Sequence, residues 1–234
     1  MAGSTHRTDR GQTAADTTAI SKSPDHCRAR HQRLPTPGRS HLDALLAEVR
    51  ACRLCAPHLP LGPRPVLVAH REARILVVGQ APGTKVHASG VPFDDASGER
   101  LRDWMGMDRS TFYDPLRVAF LPMGFCYPGR GTSGDLPPRP ECAIAWRAKL
   151  LAQLPRVELT LLVGQYAQAW HLGAQRQSTL TETVRCWRDY GPHQIPLPHP
   201  SPRNNIWLAR NPWFEQEVVP MVRERIEALN RTGS

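Results

Sequence analysis

Between Leu42 and Cys52, apolar side chains recur at 42, 45, 46 and 49, the i, i+3, i+4, i+7 spacing that lines one face of a helix. The next apolar segments differ in kind. Arg74–Gly79, Arg117–Pro122 and Glu158–Gly164 are short apolar runs, rich in β-branched residues or leucine and closed by Gly or Pro, the pattern of strands buried on both faces of a parallel sheet. Helical patterns separate them: Ser97–Met105 with Leu101 and Trp104, Pro140–Leu154 with Pro in its first turn, Gln165–Leu172, and Leu180–Trp187. A fourth short strand, Gln194–Leu197, follows, and a last helix is expected to open with Asn211 as N-cap and Pro212 at N1, kinked at Pro220. The alternation predicts an α/β fold, a three-layer α/β/α sandwich around a four-stranded, mainly parallel sheet. Such sheets bind ligands just past the carboxyl ends of their strands, which points to Gly79–Phe93, Met123–Gly131 and His199–Asn205.

Residues 1–40 have almost no large apolar side chains and are rich in Thr, Ser, Asp, Arg and Pro, so they read as a disordered basic tail on a single domain spanning 41–234. The longest apolar runs, Ile75–Val78 and Leu159–Val163, fall far short of the roughly 20 residues of a membrane span. The first 40 residues contain no apolar signal core, so a cytoplasmic protein without structural disulfides is expected. The net charge of +9 comes mostly from Arg with very few Lys, and Arg forks phosphates, so nucleic acid is a natural partner. The tail holds +4 of that charge, so a plain basic tail on a mildly basic domain remains an equal reading.

Three constellations carry chemistry. Gly79-Gln-Ala-Pro-Gly83 follows the first strand and is itself followed by Gly90-Val-Pro-Phe93. It lacks the Lys-Ser/Thr of a phosphate-binding loop and the third glycine of a dinucleotide site. Leu197-Pro-His-Pro-Ser-Pro-Arg-Asn204 clamps His199 between prolines at a strand end, which suits a side chain that must hold one hydrogen-bond geometry, although a turn histidine capping the strand is the commoner fate. Four cysteines, Cys52-x2-Cys55, Cys126 and Cys142, have a spacing that suggests zinc at least as readily as an iron–sulfur centre. Cys27 and Cys186 have no clear partner.

The motifs Gly79–Gly83, Gly90–Phe93 and His199–Asn204, in this order and at these strand ends, resemble the uracil-DNA glycosylase superfamily over about residues 42–229. The Gly79–Gly83 motif is similar to a hybrid of the family 1 and family 4 motifs, and the His199–Asn204 motif, with Arg203 and Asn204, is most similar to that of the single-strand-selective family. In family 4 four cysteines in this order hold a [4Fe–4S] cluster, so the resemblance implies that Cys52, Cys55, Cys126 and Cys142 do so here, with zinc as the alternative. It further implies a DNA-repair glycosylase that flips uracil out of DNA and hydrolyses its N-glycosidic bond, acting as a monomer, away from membranes and on the nucleoid when bound.

The resemblance also assigns roles. His199 would donate to the base oxygen together with backbone N–H groups of Gln80 and Ala81, and Phe93 would stack on the flipped ring, its alternative being a core Phe below the turn. Ala81 stands where family 1 has a water-positioning Asp, so Asp94 or Asp95 would supply the carboxylate, with N-capping an equal reading for Asp95. Gly83 replaces the Tyr that excludes thymine. Pro122 falls where family 4 places the Asn that reads the uracil edge, so backbone groups around Met123 and Gly124 would substitute, or the pocket would take hypoxanthine or xanthine. Ser201, Arg203, Asn204, Asn205, Arg130 and Arg210 would grip DNA, near a wedge around Ile206. A competing reading is a non-catalytic iron–sulfur module that binds lesions without turnover.

Overall fold

The computed structural model describes residues 40–132 and 134–231. Four strands, β1 (Ile75–Val78), β2 (Val118–Phe120), β3 (Leu159–Val163) and β4 (Gln194–Leu197), pair in parallel in the order β2-β1-β3-β4. The α-helices are α1 (His41–Arg50), α2 (Thr84–Ser89), α3 (Ala96–Met105), α4 (Arg109–Phe112), α5 (Pro140–Leu151), α6 (Gln165–Leu172), α7 (Leu180–Arg185), α8 (Trp187–Tyr190), α9 (Asn205–Arg210) and α10 (Val219–Arg231). The expected α/β class is therefore found, with every strand pair parallel. All the described residues belong to one compact unit; residues 1–39 of the tail expected over 1–40 lie outside the described residues, and Ser40 belongs to the first helix as its cap.

Every residue of β1, β2 and β3 is buried because helices cover both faces. The two-residue alternation divides the core. Ile75 and Val77 pack with Leu101 and Trp104 of α3 and with Phe214, Val222 and Ile226 of the C-terminal segment. Leu76 and Val78 pack with Leu42 and Leu46 of α1, Leu150 of α5 and Ala167 of α6. Pro196 is tolerated in β4 because β4 is an edge strand.

Local chemistry sets the helix ends. Ser40 caps α1 through a capping box, its Oγ accepting from Asp43 N–H at 3.1 Å while Asp43 Oδ2 accepts from Ser40 N–H at 3.2 Å. The C-terminal region adds a turn that the sequence pattern does not announce. Asn211 closes α9, its Nδ2 donating to Trp207 O at 2.8 Å, and its carbonyl accepts from Phe214 N–H at 3.0 Å as the last helical stretch opens at Trp213, close to where it is expected. The chain then passes through a π-helical turn, Phe214–Val218, directly before Pro220, which has no N–H to give the Gln216 carbonyl its α-helical bond. The expected helix Leu180–Trp187 divides at Cys186 into α7 and α8. Among the described residues no helix is long and apolar enough to cross a membrane.

Candidate active site

The carboxyl ends of β1, β2 and β4 open into a pocket of ≈ 570 Å³, walled by the Gly79–Val86 segment, Pro92 and Phe93, Pro122 and Tyr127, and the His199 loop. Close packing shapes its floor. A Cβ on Gly79 would stand 3.2 Å from the Phe93 ring, and one on Gly98 would stand 1.7 Å from Phe93 O, so α3 approaches Phe93 only because residue 98 is glycine. Phe93 itself has φ 54°, the left-handed region that a bulky side chain avoids at a cost of about 1–3 kcal/mol. Its carbonyl accepts from Tyr113 Oη at 3.2 Å, and its ring packs with Phe112 and Phe120 at 6.5 and 6.0 Å between centroids. Backbone strain held by its neighbours marks Phe93 as a residue placed for the pocket it lines.

His199 is held from three sides. Ser201 N–H donates to its Nδ1 at 3.2 Å, Asn204 Nδ2 donates to its carbonyl at 2.7 Å, and Arg100 Nη1 from α3 donates to the carbonyls of Pro200 and Ser201, both at 3.2 Å. Gly164, at φ 83°, lets the end of β3 pass beneath it. An Nδ1 that accepts a hydrogen bond places the single proton of a neutral imidazole on Nε2. Burial lowers the pKa of His199, with Arg203 assisting and Asp95 and Asp135 opposing, so the ring is a neutral Nε2–H donor at neutral pH.

At the Gly79–Gly83 turn, Gln80 Nε2 donates to Leu136 O at 2.9 Å and to Asp135 O at 3.4 Å, tying the turn to the loop before α5. Among the described residues no acceptor meets the backbone N–H of Gln80 or Ala81. Both residues line the pocket, which leaves two backbone donors there without a protein acceptor.

The other sequence-derived positions are divided by the fold. Arg130, Ser201, Arg203 and Asn204 border the pocket, whereas Asn205 and Arg210 lie exposed on α9, as does Ile206, which is 66% exposed. Asp95 lines the pocket and also N-caps α3, its Oδ1 accepting from Gly98 N–H at 3.0 Å. Asp94 lies outside the pocket lining, in an ion pair with Arg109 at 3.0 Å that lowers its pKa. Met123 and Gly124 also lie outside it. Their N–H groups donate to Gly79 O and Gln80 O, at 2.9 and 3.0 Å, and the Met123 side chain is buried in the core between the sheet and α1, α5 and α6. The strand end there is fixed by buried Arg147, whose Nη2 donates to the carbonyls of Leu121 and Pro122 at 2.9 and 2.6 Å and whose Nη1 donates to His171 Nε2 at 3.3 Å. Arg100, Asp135 and Arg147 join the site from distant stretches of sequence, with no local motif to signal them.

A family model, Uracil DNA glycosylase superfamily, matches residues 65–223. The chain belongs to this superfamily. Superfamily membership makes it a DNA glycosylase, a DNA-repair hydrolase that acts on DNA. Among solved structures, the solution NMR structure of a candidate uracil DNA glycosylase from Methanosarcina acetivorans matches with a TM-score of 0.40 and 15% identity, over 68% of this chain and 94% of that one.

This glycosylase carries a second cavity, ≈ 20 Å³, where Cys52, Cys55, Cys126 and Cys142 meet Arg139 and Trp146. Trp146 Nε1–H donates to Cys52 Sγ at 3.4 Å and Phe125 N–H to Cys142 Sγ at 3.3 Å. Burial first, and the neighbouring cysteines after it, push the thiols of Cys126 and Cys142 up to about 11 and about 12. Among the described residues no three His, Cys, Asp or Glu side chains are gathered to hold a single metal ion. Four soft donors ring one small cavity, two of them already receiving N–H bonds, a donor set that fits a thiolate-held cluster. Cys186 lies outside the cavity lining, and Cys27 outside the described residues.

Proposed function

We propose that this glycosylase excises uracil from DNA, leaving an abasic site. The observation that carries the reading is the neutral, clamped His199 facing a pocket in which the N–H groups of Gln80 and Ala81 are also open. Uracil leaves as an anion, so donors fixed before the reaction stabilise the charge that develops on its oxygen without reorganising. A cationic imidazolium would be costly in this buried position, whereas the neutral ring supplies the same donor without that cost. Phe93 stacks on the flipped ring, Ile206 and α9 enter the gap left in the duplex, and Arg130 and Arg203 take phosphates.

Cys52, Cys55, Cys126 and Cys142 hold a [4Fe–4S] cluster in this reading. The group supplies cross-linking, not base chemistry: it ties the segment after α1 to the Phe125–Cys126 strand exit and to the start of α5. Purified protein then contains about four iron and four sulfide per chain, and Cys126→Ala loses both. One zinc per chain instead would replace the cluster while keeping the four-cysteine site.

A second substrate reading has one observation in its favour. The N–H groups of Met123, Gly124 and Phe125 are all engaged, so none of them reads the uracil edge, and hypoxanthine or xanthine becomes a competing base. Base release from single- and double-stranded DNA carrying uracil, hypoxanthine or xanthine tests both. Release of uracil above the other two supports the proposal; release of a purine above uracil transfers it to that base. DNA binding without release of any base would leave the protein a lesion-binding module.

A further inference from the structure

Breaking the C1′–N1 bond builds negative charge on the base and positive charge on the sugar, and His199 meets only the first. A carboxylate is needed on the other side. Two line the pocket, Asp95 and Asp135. Asp95 spends Oδ1 on capping α3, and Asp94, paired with Arg109, lies outside the lining. Asp135 differs from both, since among the described residues its carboxylate has no hydrogen bond and no ion-pair partner.

The loop that presents Asp135 is held by its backbone. Arg130 and Asp135 pair across it as an isolated antiparallel bridge, Leu136 N–H donates to Gly129 O at 2.9 Å, and Gln80 Nε2 grips Leu136 O. The side chain is thereby left to the pocket. Its Oδ2 stands 3.4 Å from where a Cβ at position 83 would lie. Gly83 has φ −82°, a backbone any residue adopts, so Asp135, not the backbone, crowds the space of a side chain there. Asp95 first and Asp135 second both raise the pKa of His199 against the effect of burial, so both carboxylates stand near the ring, and it is the free carboxylate of Asp135 that sets it apart.

We propose that Asp135 is the catalytic carboxylate of this site, facing the oxocarbenium-like sugar and accepting the proton of the attacking water. The assignment rests on the glycosylase reading above. As the C1′–N1 bond breaks, its electron pair leaves with the base, whose oxygen is held by His199 Nε2–H. Water oxygen then bonds to C1′ and passes one proton to the Asp135 carboxylate. That proton moves on to the departing base anion, directly or by exchange through solvent, which leaves a neutral base, an abasic hydroxyl at C1′ and the carboxylate restored.

The test uses the full chain and its Asp135→Asn and Asp135→Ala variants. Single-turnover excision from uracil DNA is measured beside binding to DNA carrying either a cationic pyrrolidine or an uncharged tetrahydrofuran in place of the deoxyribose. The assignment expects excision to fall by about 10²–10⁴. The wild type should prefer the cationic analogue, both variants should lose that preference, and tetrahydrofuran affinity and thermal stability should stay unchanged. Wild-type excision with fully active variants, or a preserved cation preference, would overturn the role of Asp135 alone. A parallel fall in thermal stability and tetrahydrofuran affinity would make Asp135 a structural residue and overturn it equally. A wild type that releases no base from any substrate would overturn the glycosylase reading and this assignment together.

Discussion

The segment Pro122–Cys126 borders two cavities that treat the same backbone in opposite ways. Toward the ≈ 570 Å³ pocket it presents Pro122, beside a turn whose N–H groups at Gln80 and Ala81 remain open and a Phe93 held at φ 54°. Toward the ≈ 20 Å³ cavity it presents Gly124, Phe125 and Cys126, where Phe125 N–H goes to a cysteine sulfur and Trp146 Nε1–H goes to another. One cavity keeps donors unmet and tolerates strain; the other uses its donors on its own sulfurs. A site that must recognise a transient charge needs the first arrangement, and a structural tie needs the second.

The largest expected change comes from closing the gap under Phe93. Gly98→Ala places a Cβ 1.7 Å from Phe93 O, so α3 must move, and thermal unfolding should show a loss of about 3 kcal/mol or more together with lost excision. Unchanged stability would mean that the strained Phe93 is not held by α3. Arg147→Ala acts on the segment common to both cavities: it strips the donors from Leu121 O and Pro122 O and empties a buried volume, for about 2–4 kcal/mol in denaturant unfolding. The base pocket and the cysteine tie should weaken together. An Arg147→Ala variant that loses iron and keeps full excision would separate them.

A smaller effect sharpens the role of Asp95. Asp95→Ala should cost about 1 kcal/mol of stability through the lost cap, while Asp95→Asn, which caps nearly as well, should be close to silent in both unfolding and excision. Excision slowed strongly by Asp95→Asn would move the catalytic carboxylate from Asp135 to Asp95.

These contrasts follow how far each part could be read from sequence. β1 and β3 were legible because both lie under helices on two faces and so consist of unbroken apolar runs. The helices α2 and α9 were not, since six residues are too few to display a 3.6-residue period. His199, Phe93 and the four cysteines stand in short motifs that announce themselves. Arg100 reaches Pro200 across 100 positions and Arg147 reaches Leu121 across 26, and both contacts are to backbone carbonyls, which no side-chain pattern encodes. Asp135 escaped for a related reason, because the loop that aims it is set by backbone bonds at Gly129 and Gln80. The N–H groups of Met123 and Gly124, expected to be open, are used by the strand-end turn they help to form.

The central claim is that a neutral His199 drives loss of the base, and single-turnover excision of uracil by the wild type and His199→Ala across pH tests it most directly. The pKa of His199 is lowered in the folded protein, so the neutral donor is present above the ordinary histidine value of 6.5 and persists below it. Wild-type excision should therefore hold through pH 6.5 and fall only as pH drops through the lowered value, where the stability contributed by the uncharged buried ring is lost as well. His199→Ala should be slower by about 10²–10³ at neutral pH, with no such histidine limb and with DNA affinity nearly unchanged. A His199→Ala variant that excises uracil at the wild-type rate, with the same pH profile, would contradict the account.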